Sequence, residues 1–272
     1  MKPRMALAPN AIIGIFLVGI IATAGIIGFF WTPFDPGRIN ILARLHPPDA
    51  QNWLGTDEYG RDVFSRLLLG ASASLIISIT TVAFALAVGV LLGLISGYLR
   101  GVVDRLIMML TDTLLAFPGI LLALGLLSIL GNNRYGIILA LGLAYTPSVV
   151  RIVRGTVLGL READFVEASR VMGHRELFIL TRHVLPNCIA PLTVLATSML
   201  GWVLIAESAL SFLGLGVPPP EPTWGNMLAA SRTYLSQAPY LALLPGACIS
   251  VALLGVNLVG DALRDYLDPR MH

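Results

Sequence analysis

Long runs of apolar residues dominate this chain and recur with polar breaks between them. Six stand out, at about 11–30, 73–98, 106–130, 135–158, 189–213 and 240–261. Each is close to the roughly 20 apolar residues with which an α-helix crosses a hydrocarbon layer about 30 Å thick. The pattern predicts an all-α membrane protein with six transmembrane helices. One polar stretch, EASRVMGHRELFILTRHVLP from Glu167 to Pro186, lies between the fourth and fifth runs and has helical spacing of its own.

Composition supports the membrane setting. Of 272 residues, 56% are hydrophobic and 12% charged, with a mean hydropathy of +0.80, whereas an ordinary soluble globule carries about 25% charged residues. Lys2, Arg4 and Ala22-Thr23-Ala24 give the first run some features of a signal peptide. The run continues through Ile26, Ile27, Phe29 and Phe30, long enough to stay as an anchor. With the N-terminus inside, twelve basic residues fall on the inner side and six (Arg38, Arg44, Arg61, Arg66, Arg134, Arg232) on the outer. That imbalance predicts cytoplasmic termini. A net charge of +2 gives no reason to expect nucleic acid as a partner. Cys188 and Cys248 read as small buried hydrophobes, and the four histidines are scattered, so no metal site is expected.

In the polar stretch, Asp164 and Glu167 have the spacing of a capping box, which predicts a helix start with Asp164 as its cap. Phe165, Ala168, Ser169 and Met172 fall at i, i+3, i+4 and i+7, a narrow face suited to a groove on a partner. Gly173 stands where a left-handed cap would end this helix, and a second is expected from near Arg175 until Pro186 stops it. A short amphipathic helix lying on lipid headgroups, or packed on its own bundle, has the same pattern, and patterning alone leaves that alternative open.

Glu167, Ala168, Gly173, Leu185 and Pro186 match, in register, the pattern Glu-Ala-Ala, three residues, Gly, nine residues, a hydrophobic residue, one residue, Leu-Pro. Ser169 replaces the second alanine and His183 stands at the hydrophobic position. The stretch thus resembles the EAA loop of permeases in binding-protein-dependent ABC importers. NWLGTDEYGRDVFSRLLLGASASL from Asn52 and ESALSFLGLGVPPPEPTWGNML from Glu207 resemble the C-type permeases of dipeptide, oligopeptide, glutathione and nickel importers.

That resemblance implies a type I, MetI-like architecture in the bacterial inner membrane. An N-terminal anchor and extracytoplasmic segment (1–72) would precede a permease core (73–262) with its coupling loop at about 161–188, followed by a tail (263–272). It implies that Glu167, Ala168, Ser169, Met172, Gly173, Leu185 and Pro186 couple the chain to an ATPase. The partners would be a second permease, two ABC ATPase subunits or domains and an extracytoplasmic binding protein. ATP and Mg would sit on the ATPase subunits, with no cofactor on this chain, and the cargo would be dipeptides or oligopeptides, with glutathione or nickel as alternatives.

Other positions are legible without the resemblance. Gly89, Gly93 and Gly97 form a small-residue ridge for close helix packing, which could also line a moving interface between permeases. Phe117-Pro118-Gly119 should kink the third span, as a hinge would. Asp112 and Glu207 are charges within apolar runs and need partners or water, as part of a pathway or as interhelical hydrogen bonds. Trp53, Tyr59 and Phe64 either anchor a helix at the interface or contact a partner. The only lysine is Lys2, so the chain lacks a P-loop, and no serine–histidine pair falls within the spans. A stand-alone secondary transporter is the competing reading, for which Asp112 and Glu207 would be the coupling groups.

Overall fold

A computed structural model describes residues 9–267. It contains ten α-helices among the described residues: α1 Pro9–Phe30, α2 Val63–Leu99, α3 Gly101–Leu115, α4 Gly119–Leu130, α5 Arg134–Leu160, α6 Asp164–Val171, α7 Glu176–Ile179, α8 Leu185–Phe212, α9 Trp224–Ser231 and α10 Tyr240–Leu267. A π turn, Leu180–Val184, joins α7 to α8.

The glycine ridge decides how the bundle is assembled. A Cβ at Gly89, Gly93 or Gly97 would stand 2.5, 2.7 or 2.8 Å from the Cβ of Val149, Val153 or Val157, so α2 and α5 touch backbone to side chain along three turns. The paired numbers rise together, so the two helices run parallel. The chain between them must therefore return across the bundle, and α3 with α4 makes that return. The pair bends by 97° at the break before Gly119, where Pro118 interrupts the helix. Five helices are long and apolar enough to cross a membrane, and the bent pair supplies a sixth crossing. The ridge is thus filled by α5 of the same chain.

Two apolar cores result. One gathers the second half of α2 with α4, α5 and α8, and the other gathers α1, the first half of α2, α9 and α10. Much of the outer surface stays apolar, as Phe16 on α1 and Leu243 on α10 illustrate, which suits a lipid solvent.

Residues 31–62 fold over one end of the bundle. There Asp57 accepts from Arg61 Nε at 2.6 Å and lies 3.3 Å from Arg66 Nε, while Arg61 also reaches Glu58 at 3.1 Å, all with little exposure. These pairs let α2 begin at Val63, ten residues before its apolar run, with Asp62 accepting the Ser65 amide as its cap. Asp49 accepts the amides of Asn52 and Gln51, and its carboxyl is held below the ordinary range mainly by the Asn52 amide. Tyr240, opening α10, donates to the carbonyls of His46 and Thr56. The Trp53 ring is tilted 45° to that of Phe64, 5.4 Å between centroids, and both Trp53 and Tyr59 are exposed.

Candidate functional site

At the opposite end of the bundle, α5 and α8 are joined by α6, α7 and the π turn. The helix start differs from the expectation. Ala163 is the N-cap of α6, its carbonyl accepting from the amides of Val166 and Glu167, and no side chain caps the end. Asp164 and Glu167 lie in the first turn, where their charge faces the positive end of the helix dipole, so the predicted capping box is not formed. The cause is the tight exit from α5, where the Ala163 amide returns to Leu160 and the next helix starts one residue earlier.

Gly173 has φ +80, and the amides of Gly173 and His174 bond to the carbonyls of Arg170 and Ser169. This is the Schellman closure that a glycine after the last helical turn allows. Ser169 faces inward: it is 1% exposed, and its hydroxyl lies 3.1 Å from His174 Nδ1. The outward face is therefore Phe165, Ala168, Val171 and Met172, with Leu177 beyond the bend. Val171 and Met172 are 81% and 69% exposed, large apolar side chains on a helix of only eight residues. Glu167 is open to solvent and lies 3.4 Å from Arg170.

The second helix begins after Arg175, but Pro186 does not end it. From Glu176 to Phe212 the chain continues as one helical rod. In regular α geometry the proline ring would strike the carbonyl four residues back and leave it without a donor. Here the Leu185 amide reaches Leu180, five residues back, and the widened turn accommodates Pro186 at the start of α8. Leu185 is half-buried and Pro186 exposed. His183 packs between Phe165, 6.2 Å away, and Phe178, 5.8 Å away, so it holds the two arms of the bend together from inside.

Polar contacts brace the base of this loop, and reading the spans singly missed them. Arg154 on α5 donates two hydrogen bonds to Asp104 on α3, at 2.6 and 2.7 Å, and Ser96 on α2 donates to the same carboxylate. Arg161 donates to the Tyr98 carbonyl at 2.7 Å, and Arg100 bridges to Glu162 at 2.9 Å. Asp112 pairs with Arg151 at 2.8 Å across the same two helices. The signal was present as one-to-one charge matching: arginines at 151 and 154 on one helix, aspartates at 104 and 112 on another.

Glu207 is fully buried on α8 and accepts from Ser211 at 2.9 Å and Thr223 at 3.0 Å. Thr223 also caps α9 through the Asn226 amide, so this carboxyl fastens α9 to α8. The structure does not bring Asp112 and Glu207 together. An open cavity of about 580 Å3 lies between α5, α8 and α10, lined by Ile152, Val194, Ser198, Trp202 and Arg264 among others.

Three comparisons bear on these features. Residues 89–272 match the family described as binding-protein-dependent transport system inner membrane component. A Brucella suis biovar 1 protein named as a peptide transport system permease is 42% identical over 259 residues, 95% of this chain and 87% of that protein. The dipeptide transport system permease DppC of Alkalihalophilus pseudofirmus is 40% identical over 96% of this chain and 86% of its own length. The glutathione transport system permease GsiD of Pectobacterium atrosepticum is 39% identical, covering 95% and 86%. In fold, the chain resembles a crystal form of the inward-facing MetNI methionine ABC transporter, with a TM-score of 0.62 at 17% identity over 74% of this chain and 96% of that one.

Proposed function

The chain belongs to the family of binding-protein-dependent transport system inner membrane components, and from that premise we propose that it is the permease subunit of an ATP-driven importer of short peptides. It is a multi-pass inner-membrane protein. The observation that carries the coupling role is the outward row Phe165, Val171, Met172 and Leu177 on a bend braced to both long helices. An apolar helix face of this size needs a groove to cover it, and an ATPase subunit offers one in the helix-in-groove manner.

The stroke follows from the bracing. Movement of an ATPase pair, with ATP and Mg held there and not on this chain, displaces α6. The Schellman turn at Gly173 and the His183 packing pass that displacement to α7 and the continuous rod of α8, while the Ala163 turn passes it to α5. Because α5 is locked to α2 through the glycine ridge, α2 and α5 move together, and the break at Pro118 lets α4 follow at its own angle. The cavity beside Trp202 is this chain's share of the route, completed by a second permease. Glu167, Ala168, Met172 and Gly173 act at the contact, and Ser169, Leu185 and Pro186 shape the loop beneath it. Both termini lie in the cytoplasm, in keeping with the excess of basic residues at the loop end. Peptide cargo is supported by the relatives named for peptide and dipeptide transport, with glutathione within the same chemical class.

The test is purification of the tagged chain from its native membranes in mild detergent, with mass spectrometry of what stays bound and a parallel dipeptide uptake assay. Recovery of a second permease and ATPase chains is expected. Gly173→Pro, which forbids the positive φ, should abolish uptake without loss of the chain from the membrane. A lone homo-oligomer whose uptake follows ion gradients and ignores ATP depletion would establish a secondary transporter instead.

A further inference from the structure

A cavity of about 250 Å3 opens between the exit from α1, the Ala50–Trp53 stretch and the start of α2, and Phe34, Trp53 and Phe64 line it together with Asp62. Phe34 and Trp53 are exposed, and the Trp53 and Phe64 rings lean at 45° to each other, 5.4 Å between centroids. Phe34 is tied to the first turn of α2. Its amide donates to the Ser65 hydroxyl at 3.0 Å, and that hydroxyl donates to Asp62 Oδ2 at 2.7 Å.

Asp62 is the odd member of this set. It is 6% exposed, and Oδ2 takes all of its side-chain hydrogen bonds, from the amide and the hydroxyl of Ser65. Among the described residues, Oδ1 has no partner, and no arginine or histidine lies within ion-pair distance of the carboxylate. The nearest cations in sequence, Arg61 and Arg66, are committed to Asp57. A buried carboxylate oxygen without a donor is costly, and among aromatic faces, which attract cations, the donor that suits it is an ammonium. Only an N–H can satisfy Oδ1, so a primary ammonium fits better than a quaternary one.

What lies below identifies the rest of the ligand. At Gly28, α1 comes so close to the Leu68 carbonyl of α2 that no Cβ would fit. Beside this contact runs an apolar groove of about 340 Å3, lined by Phe29 and Phe30 on α1 and by Leu75, Ile76 and Ile79 on α2. Phe64, Leu75 and Ile79 share one face of α2, at i, i+11 and i+15, so the aromatic box stands in line above the groove. The groove lies within the apolar runs and the box just beyond them, where aromatics meet headgroups. A molecule with a primary ammonium and a hydrocarbon chain beneath it fills both; a short peptide fills only the first. We propose that Phe34, Trp53, Phe64 and Asp62 bind the headgroup ammonium of an ethanolamine phospholipid in the leaflet at the capped end, with an acyl chain along the α1–α2 groove. Such a lipid joins the seam between α1, α2 and the cap, whatever cargo the chain carries.

The experiment is native mass spectrometry of the tagged chain with the partners that stay with it, stripped of lipid in detergent and offered an equimolar mixture of ethanolamine, choline and glycerol phospholipids with matched acyl chains. The ethanolamine lipid should be retained about tenfold or more over the other two. Asp62→Asn, which keeps a capping oxygen for α2, should erase that preference. Trp53→Leu, at an exposed ring, should weaken it severalfold and carries the test alone if Asp62→Asn does not fold. Ile79→Ser should lower retention of all three lipids alike. Retention that ignores the headgroup overturns the ammonium site, a preference that survives both box variants overturns its residues, and undiminished retention in Ile79→Ser overturns the groove. Displacement of the ethanolamine lipid by alanyl-alanine, but not by its N-acetylated form, overturns the proposal in favour of a peptide terminus.

Discussion

The two ends of the bundle are built on opposite principles. At the capped end, buried charges are matched to one another: Asp57 serves Arg61 and Arg66, all three less than one-tenth exposed. At the loop end, the bend is held by a glycine turn and by packing of His183 against Phe165 and Phe178, while its outer face is left apolar and open. The first arrangement is complete within the chain. The second leaves an apolar face uncovered by the chain itself, the face proposed above to meet the ATPase. Damage at the capped end should therefore appear as lost stability, and damage to the loop's outer face as lost transport by a chain that still folds.

The largest stability effect is expected from Asp57→Ala, which leaves buried Arg66 without its carboxylate and Arg61 with Glu58 alone. Breaking a buried pair by removing one partner costs about 3–5 kcal/mol, and here one carboxylate serves two cations. Thermal unfolding in detergent should fall sharply, and uptake per cell should fall with the amount of protein. If melting is unchanged, the matched-charge account of the cap is wrong.

Val171→Asp and Met172→Asp reverse that outcome. Both side chains are exposed in the isolated chain, so melting should shift little, within the ±0.5 kcal/mol usual for surface positions. An aspartate in a desolvated groove should instead cost about 2 kcal/mol or more of binding, roughly thirtyfold in affinity for the ATPase. Pull-down of the ATPase chains and ATP-dependent uptake both report it. A variant that melts early yet binds normally would show that this face packs within the bundle.

How far each end was legible follows from the same contrast. The apolar runs located the spanning helices and Gly173 located the bend, because both depend on local physics: helix length against hydrocarbon thickness, and a backbone torsion open mainly to glycine. Features set by tertiary contacts were not legible. The start of α2 at Val63 was hidden because Arg66 looks like a loop residue until Asp57 is placed beside it. Pro186 looked like a stop because a π turn, which removes the clash, leaves no mark in residue order. Ser169 fell on the predicted contact face because spacing alone cannot say which side of a short helix meets its own bundle. The Glu207 partners Ser211 and Thr223 lie four and sixteen residues away, the second reachable only once α9 folds back.

Gly173→Ala should have an intermediate effect and refines the role of the bend. Nothing lies within 4 Å of a Cβ there, so the cost is torsional alone, about 1–2 kcal/mol for an L-residue held at positive φ. The bend should open part of the time, and transport should fall severalfold while the ATPase stays bound.

The smallest effect belongs to the loop's most visible charges. Arg170 lies 3.4 Å from Glu167 and 3.8 Å from Glu176, whose side chains are 67% and 61% exposed. Exposed pairs of this geometry contribute about 0–1 kcal/mol and are screened by salt. Arg170→Ala should leave melting and uptake near the parent values at physiological ionic strength. A large loss of uptake with unchanged melting would mean that Arg170 itself faces a carboxylate of the ATPase. In that case charge as well as apolar contact would hold the loop to its partner, and the contrast between the two ends would be one of ownership: charges matched within the chain at the cap, and across the interface at the loop.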